Sequence, residues 1–312
     1  VQIGEAEVTD PLGPDAYGYY AYDSGDENYY NSPIYDWVEI DPSYGGSGTV
    51  IALSDPGDTG DIEIVDIPFG FRMYGEVYNE ITICSNGWIA PGVTEDFAFM
   101  NWNIPGPGGP SPMIAAFWDD LKLTGGSHVC YYFDAAQHRF IVEWSHLQND
   151  FAGDEETFQA ILYDPSVNPT ATGDSEILFQ YKVINNTSQG SNRYDHGQYC
   201  TIGLEDPTGL IGLQYTFNNA YPTSAKVLEH EMAILLTGPP VDLIDPFIVI
   251  GGLNINDPIG EGGNGNGNAD YGETIGVNIN LNNLGEGTAS DVSVVLTVDD
   301  PYLSLLNDVV DY

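Results

Sequence analysis

The chain has 312 residues and a formal net charge of -41, set by 47 Asp and Glu against 6 Lys and Arg. So little positive charge repels phosphate backbones and anionic lipid, which excludes nucleic acid and membrane surfaces as partners and concentrates cations around the protein. Hydrophobic residues still make up 42% and aromatics 12%, so a core can form, but self-repulsion on this scale calls for salt screening or bound divalent ions.

In chain order, residues 1–8 read as an isolated strand with imperfect alternation, Val1 and Ile3 on one face and Ala6 and Val8 on the other. A Pro/Gly turn over 11–14 follows, making 1–16 an N-terminal strand and turn. Short β-rich runs punctuated by Asp, Gly and Pro come next, at 35–40, 49–53, 62–67, 69–74, 81–89, 114–118 and 128–133. They continue at 140–144, 158–163, 177–183, 200–204, 213–217 and 233–237. Gly238, Pro239 and Pro240 form a stiff linker. A second set lies at 247–250, 274–281, 292–298 and 303–306. With 37 Gly, 20 Pro and no long stretch of helix formers, the pattern predicts an all-β chain: a large sandwich over 17–238 and a smaller unit over 239–312. No apolar run approaches a membrane span, so no membrane insertion is expected. The chain opens on Val1 without a charged-then-apolar leader, which reads as a mature or excised segment of an exported protein.

Catalytic signatures are weak. Cys84, Cys130 and Cys200 each sit in an apolar, strand-like run, where buried structural thiols are the default and one disulfide with a leftover thiol is the alternative. The five His, at 128, 138, 146, 196 and 230, form no HExxH, zinc or nucleophile-elbow pattern. Asp195 and His196 beside Cys200 suggest a Cys/His arrangement, but a loop His near a strand Cys is commoner. Asp119 and Asp120 follow the aromatic pair Phe117 and Trp118. They are expected to leave the core for the surface, as turn caps, cation ligands or an acid pair.

The order Ile83-Cys84-Ser85-Asn86-Gly87-Trp88, Met113-Ile114-Ala115-Ala116-Phe117-Trp118-Asp119-Asp120, Val129-Cys130-Tyr131-Tyr132 resembles the nidogen-type extracellular domain. Phe140-Ile141-Val142-Glu143-Trp144, Glu156-Thr157-Phe158-Gln159-Ala160-Ile161-Leu162 and Ile177-Leu178-Phe179-Gln180-Tyr181 extend the resemblance over 17–238. Tyr35-Asp36-Trp37-Val38-Glu39-Ile40 and Tyr199-Cys200-Thr201-Ile202-Gly203-Leu204-Glu205 are similar to a bacterial version of it. That version occurs in long secreted proteins, often downstream of gingipain-like or subtilisin-like peptidase domains. The resemblance implies an extracellular or cell-surface, non-catalytic β module without active-site residues. Residues 239–312, with Asn282-Asn283-Leu284-Gly285 as a turn and Asp299-Asp300-Pro301-Tyr302 later, resemble the start of an immunoglobulin-like domain. Only four or five strands fit there, where such a sandwich needs about seven, so the second unit is expected to be incomplete.

Metal binding has the best local support. Asn264, Asn266, Asn268, Asp270 and Glu273 interleave with Gly, offering hard oxygen ligands on a backbone able to curl around calcium. The spacing is not that of an EF-hand, and a plain Asn/Gly-rich loop is the competing reading. Asp55, Asp58, Asp61 and Glu63, and Asp23, Asp26 and Glu27, read as solvated acidic turns. The expected function is a structural or adhesive protein that self-associates as a homopolymer, Val1 and Ile3 being donated as a strand to the 239–312 unit of a neighbour. The alternatives are an ancillary substrate-positioning region of a secreted peptidase and a carbohydrate-binding module, the latter resting on aromatics at 97–102 and 17–30.

Overall fold

The computed structural model describes residues 6–57, 59–150, 152–187, 199–238, 248–260, 262–266, 268, 270–283, 287–290, 292–296, 304–306 and 309–311. The chain divides into a unit spanning Ala6–Pro239 and a second containing Pro240–Tyr312. The first runs β1 (Tyr20–Asp23), β2 (Thr49–Val50), β3 (Ile62–Met73), β4 (Glu76–Cys84), β5 (Trp88–Pro91), β6 (Met113–Trp118) and β7 (Leu121–Lys122). It continues with β8 (His128–Asp134), β9 (Arg139–Asn149), β10 (Glu155–Tyr163), β11 (Ile177–Val183), β12 (Thr201–Glu205), β13 (Gly212–Phe217) and β14 (Met232–Thr237). One antiparallel sheet has the order β1-β14-β11-β10-β9-β8-β2, with β7 also on β9, and the other the order β13-β12-β6-β5-β4-β3. The all-β sandwich read from the sequence is what forms.

Side-chain alternation explains the layering. Along β9, Phe140, Val142 and Trp144 enter the core between the sheets while Ile141 faces outward; β10 repeats this with Phe158, Ala160 and Leu162 inside and Ile161 outside. Both faces are nonetheless buried, because each outer sheet face has its own cover. The segment before β2 packs Tyr35, Val38 and Ile40 over the outer face of the first sheet. Ala98 and Ile104, in the loop between β5 and β6, pack over Trp88, Met113 and Trp118 on the outer face of the second. Strands buried on both faces lose the apolar/polar alternation of a half-exposed sheet. Hydrogen bonds that tie the sheets together include Trp144 Nε1 to Cys84 O at 2.8 Å, Tyr181 OH to Ala116 O at 2.8 Å, and Tyr215 OH of β13 to Asp23 Oδ2 of β1 at 2.7 Å.

Gly87 is fixed by geometry. Its φ is 77°, and a Cβ there would lie 1.9 Å from the Phe117 carbonyl oxygen, so the turn between β4 and β5 admits no side chain. The expected single strand over 81–89 is therefore two strands around this turn. Conversely, 62–67 and 69–74 merge into β3, an edge strand that accommodates Pro68 beside a register shift between Asp66 and Phe71. Residues 35–40 are not a sheet strand. Residues 6–8, expected to end an N-terminal strand, lead instead into a turn in which Asp10 N donates to Glu7 O at 2.9 Å. Val1 and Ile3 lie outside the described residues.

In the second unit β15 (Ile248–Asn256) pairs with β16 (Gly276–Asn283), and β17 (Ser293–Val295) pairs with β18 (Val309–Asp311). The strand expected over 303–306 is not one where described, at 304–306. Gly285 and the Asp299 to Tyr302 motif lie outside the described residues.

Candidate functional site

A cross-strand row of polar residues runs over the outer face of the first sheet. Cys130 on β8 pairs with Glu143 on β9, Glu143 with Gln159 on β10, and Gln159 with Gln180 on β11. The extended strap of residues 35–40 lies on this row and is gripped through its backbone. Gln180 Oε1 accepts from Asp36 N at 2.7 Å and its Nε2 donates to Asp36 O at 3.0 Å. Gln159 Nε2 donates to Val38 O and to Glu143 Oε2, and Glu143 Oε2 also accepts from Ile40 N at 3.1 Å. Three side chains thus do for residues 36, 38 and 40 what a neighbouring strand would do. The sequence signal for this was one polar residue inside an apolar run of each strand: Glu143 within 140–144, Gln159 within 158–163 and Gln180 within 177–181.

At the strap's edge, Glu39 Oε2 accepts from Lys182 Nζ at 2.9 Å and from Trp37 Nε1 at 3.2 Å, and Lys182 lies 5.1 Å from the Trp37 ring centre. Despite some desolvation, those donors hold the Glu39 carboxyl below its ordinary value. Burial raises that of Glu143.

The carboxylates expected at the surface are mostly inside. Asp119 and Asp120 are 1% and 3% exposed, so they do not leave the core. Asn149 Nδ2 donates to Asp119 Oδ2 at 2.5 Å and Asp120 N to Asp119 Oδ1 at 2.9 Å. Burial pushes the Asp119 carboxyl well up, and its two oxygens are spent on internal donors, so it is neither an exposed ligand nor a surface turn cap. Asp55, read as a solvated turn, is buried and accepts from Ser85 Oγ at 2.6 Å and Thr59 Oγ1 at 2.9 Å. Asp23 and Asp26 are buried as well, and Tyr215 OH donates to Asp23 Oδ2 at 2.7 Å. Asp58 lies outside the described residues.

The three thiols are free and buried, and desolvation pushes all three upward, which leaves them poor nucleophiles. Asp195 and His196 lie outside the described residues. The four described His are dispersed: His128 meets Asp41, His138 Asp164 and His146 Glu155, while His230 Nδ1 accepts from Ile184 N. Of the expected aromatic faces, Phe97 and Trp102 are half exposed and Tyr30 is open, whereas Tyr19, Tyr20 and Tyr22 are core residues.

The expected calcium loop lies between β15 and β16. Asn264 Nδ2 and Asn266 Nδ2 donate to Asp270 Oδ2 at 2.9 and 2.6 Å. The Oδ1 atoms of Asn264 and Asn266 accept from the N–H groups of Asn266 and Asn268, and Asp270 N donates to Glu273 Oε2 at 3.1 Å. Asp257, not singled out in the sequence, anchors the loop by accepting from Asn264 N at 2.9 Å. The two amide donors hold the Asp270 carboxyl below its ordinary value. Among the described residues no three His, Cys, Asp or Glu side chains converge as metal ligands. A cation here would therefore draw on Asn amide and backbone oxygens beside Asp270 and Glu273, a donor set that suits a hard cation.

A family model described as NIDO related matches residues 36–236. The chain belongs to the NIDO-related family. The match begins within the strap and ends within β14, so it takes in the strap and the strands from β2 into β14 but not β1. No curated protein and no solved structure matches the chain. Among the described residues no helix is long and apolar enough to cross a membrane.

Proposed function

We propose that this NIDO-related chain is a non-catalytic structural or adhesive module of an extracellular or cell-surface protein, with a second unit that binds calcium and self-associates. The observation that carries the first part is the occupied sheet face. Glu143, Gln159 and Gln180 spend their hydrogen-bonding capacity on the chain's own backbone, which builds a rigid scaffold rather than an open cleft. Asp119 is likewise committed to Asn149.

Calcium would be held by Asn264, Asn266, Asn268, Asp270 and Glu273. It would neutralise two carboxylates of a strongly anionic chain and brace the loop joining β15 to β16. Self-association is supported by the strand pairs of the second unit. A two-stranded ribbon is marginal alone, and apolar side chains on or beside these strands stay partly open, with Ile255 39%, Val295 39% and Val309 50% exposed. A further strand laid along such an edge, with Val1 and Ile3 as its apolar residues, would cover both backbone and side chains.

Sedimentation and electron microscopy of the purified chain, with calcium and with chelator, test the assembly reading. Calcium-dependent oligomers are expected, and a monomer under all conditions overturns it. Incubation with protein and glycan substrates tests the non-catalytic reading, which fails if turnover appears and one point substitution abolishes it.

A further inference from the structure

Glu143 is the pivot of the strap's grip. It is fully buried, its Oε2 is shared between Ile40 N–H and Gln159, and its Oε1 is buried with no hydrogen-bond donor. The Glu39 carboxyl stands within hydrogen-bonding reach of it. Two carboxylates in contact, one cut off from water, do not both ionise without a large electrostatic cost. A proton on Glu143 Oε1 removes the repulsion and gives the orphaned oxygen a partner.

The neighbours decide which of the two keeps its charge. On the strap, Glu39 is held ionised by Lys182 of β11, and Asp41 accepts from Ser43 N and meets His128 of β8 at 2.9 Å. Cys130 of β8, next in the row, has its thiol pushed upward by burial and by the charges of Asp41, Glu143 and Glu39, so it stays neutral. Gln159 and Gln180 carry no charge. Among the groups facing this contact, Glu143 is the carboxyl most sheltered from water and without a cation of its own, so it takes the proton.

We propose that Glu143 and Glu39 share one proton, and that this proton latches residues 35–40 onto the outer sheet face. In base the proton passes to hydroxide, giving water and two facing carboxylates, and the strap lifts to uncover the Glu143, Gln159 and Gln180 row. The sign follows from linkage. The closed strap binds one proton more than the open one above the ordinary carboxylate range, so the open fraction rises about tenfold per pH unit there, until Glu143 ionises in both states.

Amide hydrogen exchange of the strap, compared between wild type and Glu143→Gln at equal pH, tests this, because the intrinsic base dependence of exchange cancels. The glutamine keeps a neutral donor where the acid carries its proton. Exchange of residues 35–40 should be equal in the two proteins at about pH 4, where Glu143 is protonated whether the strap is closed or open. At about pH 9.5 it should be at least tenfold faster in wild type, while β10 and β6 exchange alike in both. Equal strap exchange at both pH values overturns the proposal. If Glu143→Gln does not fold, Glu39→Gln serves: with the facing charge gone, base no longer sets two carboxylates against each other, so the rise in strap exchange between about pH 4 and about pH 9.5, measured against β10 and β6, should be smaller than in wild type by about tenfold or more, and an unchanged rise is the overturning result.

Discussion

Trp88 and Trp118, on the adjacent strands β5 and β6, donate their indole N–H groups to one carbonyl oxygen, that of Ala98, at 2.9 and 3.0 Å. The loop between those strands is fixed over the outer face of the second sheet by this shared acceptor, with Thr201 Oγ1 donating to Trp102 O and Gln214 Oε1 accepting from Ile104 N. Each sheet of the sandwich thus carries a strap read by side chains, and the two straps differ in chemistry. One is held by an acid, the other mainly by indoles and neutral polar groups.

A shared acceptor predicts non-additive losses. Trp88→Phe or Trp118→Phe alone leaves Ala98 O with one indole donor and costs about 1–3 kcal/mol through lost packing and one hydrogen bond. The double variant removes both donors and should lose about 1 kcal/mol more than the sum. Urea unfolding of the four proteins of the cycle measures this, and strict additivity would show that the carbonyl finds another partner.

Buried acids set an unusual pH dependence. Burial raises the carboxyl of Glu156 to about 8 and pushes those of Asp119 and Glu143 upward too. Each native form then binds a proton that the unfolded chain releases, so these groups contribute most at or below the ordinary carboxylate range. Their contribution is lost as pH rises toward about 8, at about 1 kcal/mol per pH unit per group. Melting temperature should fall steadily from about pH 5 to about pH 8, and Asp119→Asn should flatten that slope. General charge repulsion gives the same sign but is screened. The slope that persists at about 1 M salt therefore belongs to the buried acids.

Most strands were legible because their apolar runs carry branched and aromatic residues between Gly, Pro and Asp. The errors have particular causes. Tyr35 to Ile40 has the residues of a strand and packs Tyr35, Val38 and Ile40 like one, but its backbone partners are Gln180, Gln159 and Glu143. Nothing local distinguishes a side-chain partner from a neighbouring strand. β1 was hidden in a Tyr-rich stretch whose pairing partner, β14, comes at the far end of the unit. Asp119 was misplaced because the donor that admits it to the core, Asn149, is 30 residues away in sequence. The bonds of Asn264 and Asn266 to Asp270 join residues close in sequence, whereas the anchor Asp257 lies across the turn and was not singled out.

Calcium should act on the second unit. Added calcium at about 100 times its dissociation constant would stabilise that unit by about 3 kcal/mol, and Asp270→Ala or Glu273→Gln should abolish the shift without moving the transition of the first unit. Calorimetry with calcium, with chelator and with matched sodium chloride separates specific binding from screening. Full replacement of calcium by sodium at matched ionic strength would remove the site.

Strand exchange is testable by a short deletion. Residues 6–10 belong to a turn of the first unit, with Glu7 N donating to Asp10 Oδ2 at 2.8 Å and Asp10 held by Tyr29 OH at 2.7 Å. Deletion should therefore stop at residue 5, so that this turn stays intact. If Val1 and Ile3 supply the strand that covers a neighbour's second unit, removing residues 1–5 should abolish oligomers while the first unit keeps its melting transition. A soluble peptide of the same five residues should compete with assembly in the intact chain, and Val1→Asp with Ile3→Asp should reproduce the deletion because the inserted side chains are apolar. Oligomers that survive the deletion and ignore the peptide would place the interface elsewhere on the molecule. The outer edges of the β15–β16 and β17–β18 pairs, which carry no further strand among the described residues, would then be the next surfaces to block.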